Sequence, residues 1–362
     1  MSGGRWLELN GMRYRWEQLT DPEITEHART EFEKSTLTFC RDWLSGKETF
    51  TLTTSGSTGT PKPITLRRNQ MAASAHATLR ALGIKSEDHA LVCLDTHYIA
   101  GQMMLVRSIL GGLNMIAIEP SANPFKKTGN YKIDFAALVP YQIEAIVQEG
   151  YAHKLNELKC GIVGGASISE TLMAKLQNVK SALYATYGMT ETISHIALQR
   201  LNGPDRQDSF EVIGDTKINQ DERGCLVITT TYLEEPIVTN DLVELLDASH
   251  FRWLGRFDHV INSGGVKISP ESLEKIIEPL FTDIPLQNRF FIAGVPDEKL
   301  GERVVLFIEG RLTKQLQDEM LNNLATKISR FELPKEVRLV TSFQETKSGK
   351  MNRVETVLAS GI

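Results

Sequence analysis

The period of the apolar positions changes twice along the chain. Between residues 50 and 186, short apolar runs alternate with longer amphipathic stretches. Phe50–Thr54 reads as a strand, Asn69–Leu82 as an Ala-rich helix and His89–Leu94 as a buried strand. Ile99–Leu110 is a helix and Asn114–Ile118 a strand. Phe135–Val139 is a strand that runs into a helix from Tyr141. Lys159–Val163, Ser169–Gln177 and Ala182–Thr186 continue as strand, helix and strand. Strand and helix in turn, joined by short loops, predict parallel βαβ units with helices on the sheet faces. Ahead of them, tryptophans Trp6 and Trp16 and a helix-like stretch from Pro22 to Leu44 predict a packed segment.

From residue 196 the pattern turns all-β, with Ile196–Leu201, Cys225–Thr230, Val243–Leu246 and Phe251–Leu254 as strands. Turn signals at Asn202-Gly203-Pro204, 221–224 and 247–249 separate them. A small antiparallel sheet or barrel appended to the α/β part is expected. Beyond Gly255-Arg256 the pattern changes again. A hairpin at Gly264-Gly265 leads to a helix opened by Pro270 at a first-turn position. Strands Arg289–Gly294 and Arg303–Ile308, helix Lys314–Ile328 and strand Glu336–Val340 complete an α+β unit. The expected fold class is α/β, with a large domain over 1–256 that includes the β-rich part and a small α+β domain over 257–362.

A length of 362 residues agrees with two or three domains. With 41% hydrophobic and 23% charged residues the chain is globular, and a net charge of -5 gives no global case for nucleic acid or an anionic membrane. No uncharged apolar run reaches the roughly 18–20 residues of a membrane span, and residues 1–16 lack the apolar core of a signal peptide. The four cysteines are far apart with no CxxC, so no zinc site or disulfide framework is expected, and a reducing cytoplasm is.

The most informative segment is Thr53-Thr54-Ser55-Gly56-Ser57-Thr58-Gly59-Thr60-Pro61-Lys62, after a strand and before a helix. Small hydroxylated residues and glycines let backbone N–H groups close on phosphate oxygens, and the lysine adds a point charge. The spacing is not that of the P-loop NTPases, because Pro61 stands where their second glycine would be. Further on come Gly164-Gly165-Ala166 after a strand, Tyr187-Gly188-Met189-Thr190-Glu191-Thr192, Thr239-Asn240-Asp241-Leu242, Gly255-Arg256-Phe257-Asp258, 262–271 and Thr346-Lys347-Ser348-Gly349-Lys350-Met351. Singly, Glu191 reads as a solvated charge, Asp241 as a turn acid and Lys350 as a lysine on a loop.

As an ordered set these motifs resemble the adenylate-forming superfamily of acyl- and aryl-CoA synthetases, adenylation domains and luciferase. The resemblance implies that a carboxylate attacks the α-phosphate of ATP, makes an acyl-adenylate and expels pyrophosphate. The adenylate then passes to CoA. ATP, Mg²⁺ and CoA are the implied co-substrates and metal, with a small carboxylic acid as the other partner and neither nucleic acid nor a membrane span. By the same resemblance, Thr54, Ser55, Gly56, Ser57, Thr58, Gly59 and Lys62 cradle phosphates. Gly164, Gly165, Ala166, Tyr187 and Gly188 line the adenine side. Thr190 donates to phosphate, Glu191 holds Mg²⁺, and Asp241 with Arg256 takes the ribose. Lys350 is the catalytic lysine, Asp258 the hinge of a mobile small domain, and Gly264 and Gly265 line the CoA channel.

His97 and His195 fall where the family lines its acid pocket. Arg107, mid-helix in an apolar stretch, is either a counter-charge for a second substrate carboxylate or a packing residue with its head snorkelled to solvent. Asn240 stands in place of the usual glycine, the proline that commonly precedes the terminal lysine loop is absent, and Met1–Glu48 stands in for a longer N-terminal region. The stretches Leu94–Gly101, Arg107–Gly112 and Tyr187–Ile196 are similar to the o-succinylbenzoate–CoA ligases of menaquinone biosynthesis. Other aryl- or acyl-CoA ligases, and adenylation enzymes that load a carrier protein, remain open.

Overall fold

The computed structural model describes residues 5–53, 63–282, 289–345 and 351–361. The loop Thr54–Lys62 and Lys350 lie outside the described residues. Strands β1 (Trp6–Leu9) and β2 (Met12–Arg15) form a hairpin that turns at Asn10 and Gly11, with φ of 46° and 84°. Two positive φ values in a two-residue loop match the twist of the flanking strands. Helix α1 (Glu31–Leu44) begins nine residues later than Pro22. The reason is the cap: Thr30 is extended and its Oγ1 accepts from Glu33 N, which satisfies one orphan N–H and is worth about 1 kcal/mol. Residues 18–20 and 24–27 are short 3-10 turns.

A two-stranded sheet of β3 (Thr49–Thr53) and β4 (Pro63–Arg67) precedes α2 (Arg68–Ala81). Then come β5 (His89–Val92), α3 (Ile99–Gly111), β6 (Asn114–Ala117), β7 (Phe135–Leu138), α4 (Pro140–Gln148), α5 (Ala152–Glu157), β8 (Cys160–Val163), α6 (Glu170–Leu176) and β9 (Ala182–Gly188). Neighbours among β5–β9 pair in parallel, and β1 adds in parallel to β6. These strands are covered on both faces, which is why they read as continuous apolar runs. Ala90 and Val92 pack into one cluster with α1–α3, while Leu91 and Cys93 face the other with α4–α6.

The all-β stretch supplies β10 (His195–Arg200), β11 (Phe210–Val212), β12 (Lys217–Gln220), β13 (Cys225–Thr229), β14 (Ile237–Leu245) and β15 (His250–Arg256). It is appended along the edge of the parallel sheet: β10 pairs antiparallel with β9, giving one sheet of 13 strands in the order β12-β13-β14-β15-β11-β10-β9-β8-β7-β5-β6-β1-β2. Its own apolar cluster centres on Ile196, Ile228 and Phe251.

The last part has a separate sheet and its own core. The hairpin of β16 (Ile261–Ser263) and β17 (Val266–Ile268) turns on Gly264 and Gly265, with φ of 59° and 83°. Helix α7 (Pro270–Thr282), β18 (Phe290–Asp297), β19 (Gly301–Glu309), α8 (Lys314–Ala325), β20 (Glu336–Val340) and α9 (Arg353–Ala359) follow. Glu278 of α7 accepts from the backbone N of Glu170 at the start of α6, 3.0 Å away, and so joins the two parts.

Candidate functional site

The turn after β8, the carboxyl end of β9 and Asp241 within β14 come together at the ends of the parallel strands, where open α/β sheets bind ligands. Gly164 follows β8, and a Cβ there would clash with Thr186 Oγ1. Gly165 has a φ of 88°, which favours glycine. At the end of β9 the Tyr187 hydroxyl donates to Asp241 Oδ2 at 2.6 Å. Trp253 Nε1 donates to the other oxygen at 3.2 Å, and Thr239 Oγ1 accepts from Asp241 N at 3.0 Å. Asp241 is only 8% exposed, and its two oxygens are held toward fixed donors. The Tyr187 phenol is pushed up, by burial first and then by the carboxylate beside it.

Asp241 and Arg256 are register partners across β14 and β15, with 3.9 Å between guanidinium and carboxylate. Arg256 also grips Asp258 through two hydrogen bonds of 2.9 and 2.8 Å. That pairing lowers the Asp258 carboxyl and raises the guanidinium. Asp241 and Arg256, which the resemblance assigns to the ribose, and Asp258, which it assigns to the hinge, are therefore one linked group. The sequence pattern carries no signal for Trp253, whose indole reaches the group through the pairing of β14 with β15.

The loop between β9 and β10 holds Thr190, which is half-buried, and Glu191, which is exposed. Its shape is set from within. Thr192, fully buried, accepts from Met189 N at 2.9 Å, and Ile193 takes a φ of 70°. A β-branched residue in that region is strained. Gly188 is opposed by the backbone of Ser194 and His195 so closely that a Cβ would collide.

Behind this loop lies a buried polar cluster. His195 is 6% exposed, with Nε2 3.0 Å from Thr78 Oγ1 and Nδ1 3.5 Å from Ser194 Oγ. Thr78 donates to Ser74 O. Thr78 has one proton, so His195 donates from Nε2 and accepts at Nδ1 from Ser194, whose oxygen takes an N–H from Arg107 at 2.6 Å. His195 is held well below its ordinary 6.5, by burial first and then by Arg107, and stays neutral.

Arg107 is 2% exposed, so its head does not snorkel; that reading is corrected. The surrounding apolar run, Met103–Val106, leaves it no route to solvent. No acidic side chain pairs with it among the described residues, and Nε has no hydrogen-bond partner. Burial pushes it down to about 9, still above neutral pH, so it carries its charge. Thr78 and Ser194 are members of this cluster that residue type alone does not mark.

His97 stands at the surface, with Nδ1 2.8 Å from Asp95 Oδ1. It leads into α3 just after Thr96, which is buried against Thr36 of α1 at 3.0 Å. The Gly264-Gly265 turn is open: a Cβ on Gly265 would meet nothing within 4 Å. Among the described residues no group of three or more His, Cys, Asp or Glu side chains could hold a metal ion, and no helix is long and apolar enough to cross a membrane.

Known proteins share this fold. The chain is 37% identical to an acyl-CoA synthetase (AMP-forming)/AMP-acid ligase II-like protein from Dyadobacter fermentans, with a TM-score of 0.63, covering 92% of this chain and 96% of that one. The O-succinylbenzoate Coenzyme A Synthetase (MenE) of Bacillus subtilis, solved with ATP and magnesium ion, has the same fold at 18% identity and a TM-score of 0.70, over 85% of this chain and 69% of that one. A 2-succinylbenzoate–CoA ligase of Lactococcus lactis subsp. lactis is 23% identical over 92% of this chain and 79% of its own length. Residues 20–221 match the AMP-binding enzyme model and residues 277–350 the AMP-binding enzyme C-terminal domain. With the motifs in order, the sheet built as in its relatives and both family models matched, the chain belongs to the AMP-binding enzyme family of adenylate-forming ligases.

Proposed function

We propose that this ligase joins an aromatic acid bearing a second carboxylate, o-succinylbenzoate, to CoA through an acyl-adenylate, in the cytoplasm. The observation that carries the choice of acid is Arg107. A buried cation without a counter-ion is destabilising by several kcal/mol, and a substrate carboxylate arriving beside Ser194 would compensate it. The names of the curated relatives support the same acid.

In the first step the acid's carboxylate oxygen bonds to the α-phosphorus and the bond to the β-phosphate oxygen breaks, releasing pyrophosphate. Asp241 would accept from the ribose hydroxyls with Arg256 nearby. Gly164, Gly165, Ala166, Tyr187 and Gly188 would flank the adenine, Thr54–Lys62 the phosphates, and Lys350 the meeting anions. Mg²⁺ fits a site with one exposed carboxylate, Glu191, because that ion is commonly held by one or two carboxylates plus phosphate oxygens, whose charge it neutralises. In the second step the CoA thiol, approaching past the Gly264-Gly265 turn, loses its proton and attacks the acyl carbon, and the bond to the phosphate oxygen breaks to release AMP. The division into 1–256 and 257–362, pivoting at Asp258, would let the small domain serve each step in turn.

The test is pyrophosphate release over a panel of aryl acids, with and without CoA. Turnover of o-succinylbenzoate well above benzoate, with a CoA thioester as product, is expected. No release with any acid would sink the ligase reading for this chain. Acyl-AMP without thioester would shift the acceptor to a carrier protein.

A further inference from the structure

Arg223 lies in the β12–β13 turn, outside every motif that assigns the site. Asp221 organises that turn: Oδ1 accepts from the backbone N of Arg223 and Cys225, both at 2.9 Å. Asp221 Oδ2 takes the guanidinium edge at 2.8 and 2.7 Å. The remaining donors point across to β14. One reaches Asn240 Oδ1 at 3.0 Å and another Thr239 O at 3.0 Å. The guanidinium face lies 5.1 Å from the centre of the Phe257 ring.

One side chain thus touches the residues just before Asp241 and just after Arg256. A planar fork with fixed donors can hold such a frame, which a lysine cannot. Asn240 supplies a side-chain acceptor that a glycine at that position would lack. We propose that Arg223 is a positioning residue for nucleotide binding, holding Asp241 and Arg256 in their ribose-facing geometry through Asn240 and Phe257. This rests on the ribose assignment made above.

The experiment is calorimetric titration of the full chain with ATP and Mg²⁺, together with KM for ATP and for the acid. Arg223→Met should weaken ATP binding roughly three- to tenfold, less than the tenfold or more of a charged hydrogen bond made to the ligand itself, because Arg223 acts through Asn240 and Phe257. KM for the acid should stay unchanged. Asn240→Gly should weaken ATP in the same direction without touching Arg223 itself, which covers the case of a poorly folded Arg223→Met. Arg223→Lys should give no rescue, whereas a simple surface charge would be rescued. ATP binding equal to wild type in Arg223→Met and Asn240→Gly overturns the positioning role alone. A wild-type chain that binds no ATP overturns both this role and the nucleotide assignment beneath it.

Discussion

Arg107 is buried with no acidic partner among the described residues, so its charge is a cost to the fold. Replacing a buried, uncompensated charge with an apolar side chain of similar length is often neutral or stabilising, by about 1–4 kcal/mol. Arg107→Met is therefore expected to melt at or above the wild-type temperature. Its KM for o-succinylbenzoate should nonetheless rise at least about tenfold, the loss expected for a charged hydrogen bond. A lower melting temperature with an unchanged KM would show Arg107 to be a packing residue. His195 makes a separate prediction about pH. Its folded value is depressed, so below the ordinary 6.5 the unfolded chain binds a proton that the folded chain refuses. The stabilising effect is full above that pH and is lost as pH falls below it. Urea midpoints measured at pH 7.5 and 5.5 should differ less in His195→Gln than in the wild type. An arginine inside an apolar run is ambiguous in sequence, because the same pattern suits a snorkelled head and a buried one. Only the third dimension decides.

The elements differ in how plainly residue patterns announce them. β5, β7 and β8 are buried on both faces, so their apolar runs are unmistakable. β20 (Glu336–Val340) is legible at its full length. β2, β4 and β12 are short and carry polar or charged residues, and their strand character comes from their partners. The late start of α1 is a cap effect, legible in principle from Thr30 and Glu33 but outweighed by the longer helical pattern. The start of α3 shows a tighter constraint. Gly101 sits in its first turn against the backbone carbonyls of Leu94 and Asp95, where a Cβ would clash. Gly101→Ala should destabilise by about 1–3 kcal/mol through overpacking, read as a lower urea midpoint. An unchanged midpoint would mean that the loop from Asp95 to Tyr98 yields freely.

At the scale of the whole molecule, few side-chain hydrogen bonds join the two parts among the described residues, including Glu278 on Glu170 N and Ser269 Oγ on Leu254 O. Few contacts are what the proposed pivoting of the small domain would need. Two variants should divide the reaction if the small domain serves one step at a time. Lys350→Ala should lose acyl-AMP formation by about a hundredfold, the effect of a lost charged transition-state contact. Given preformed acyl-AMP, it should still make thioester. Gly265→Leu should do the reverse. Equal loss of both half-reactions in both variants would remove the alternating scheme for this protein.

The parallel pairing of β1 with β6 has a consequence for biogenesis. Leu7 is matched with Met115 and Leu9 with Ala117, so β1 must wait for roughly a hundred further residues before its partner exists. During translation the hairpin of residues 6–15 emerges before β5 and α3 and lacks its β6 partner while they take shape. Closing so long a loop is slow relative to local contacts. Until β1 docks, the edge of β6 is bare, and bare edges recruit strands from other chains. A ribosome-tethered fragment ending near residue 110 should be captured by chaperones and cut readily by protease. Extending the fragment past residue 117, once that segment clears the exit tunnel, should protect the hairpin.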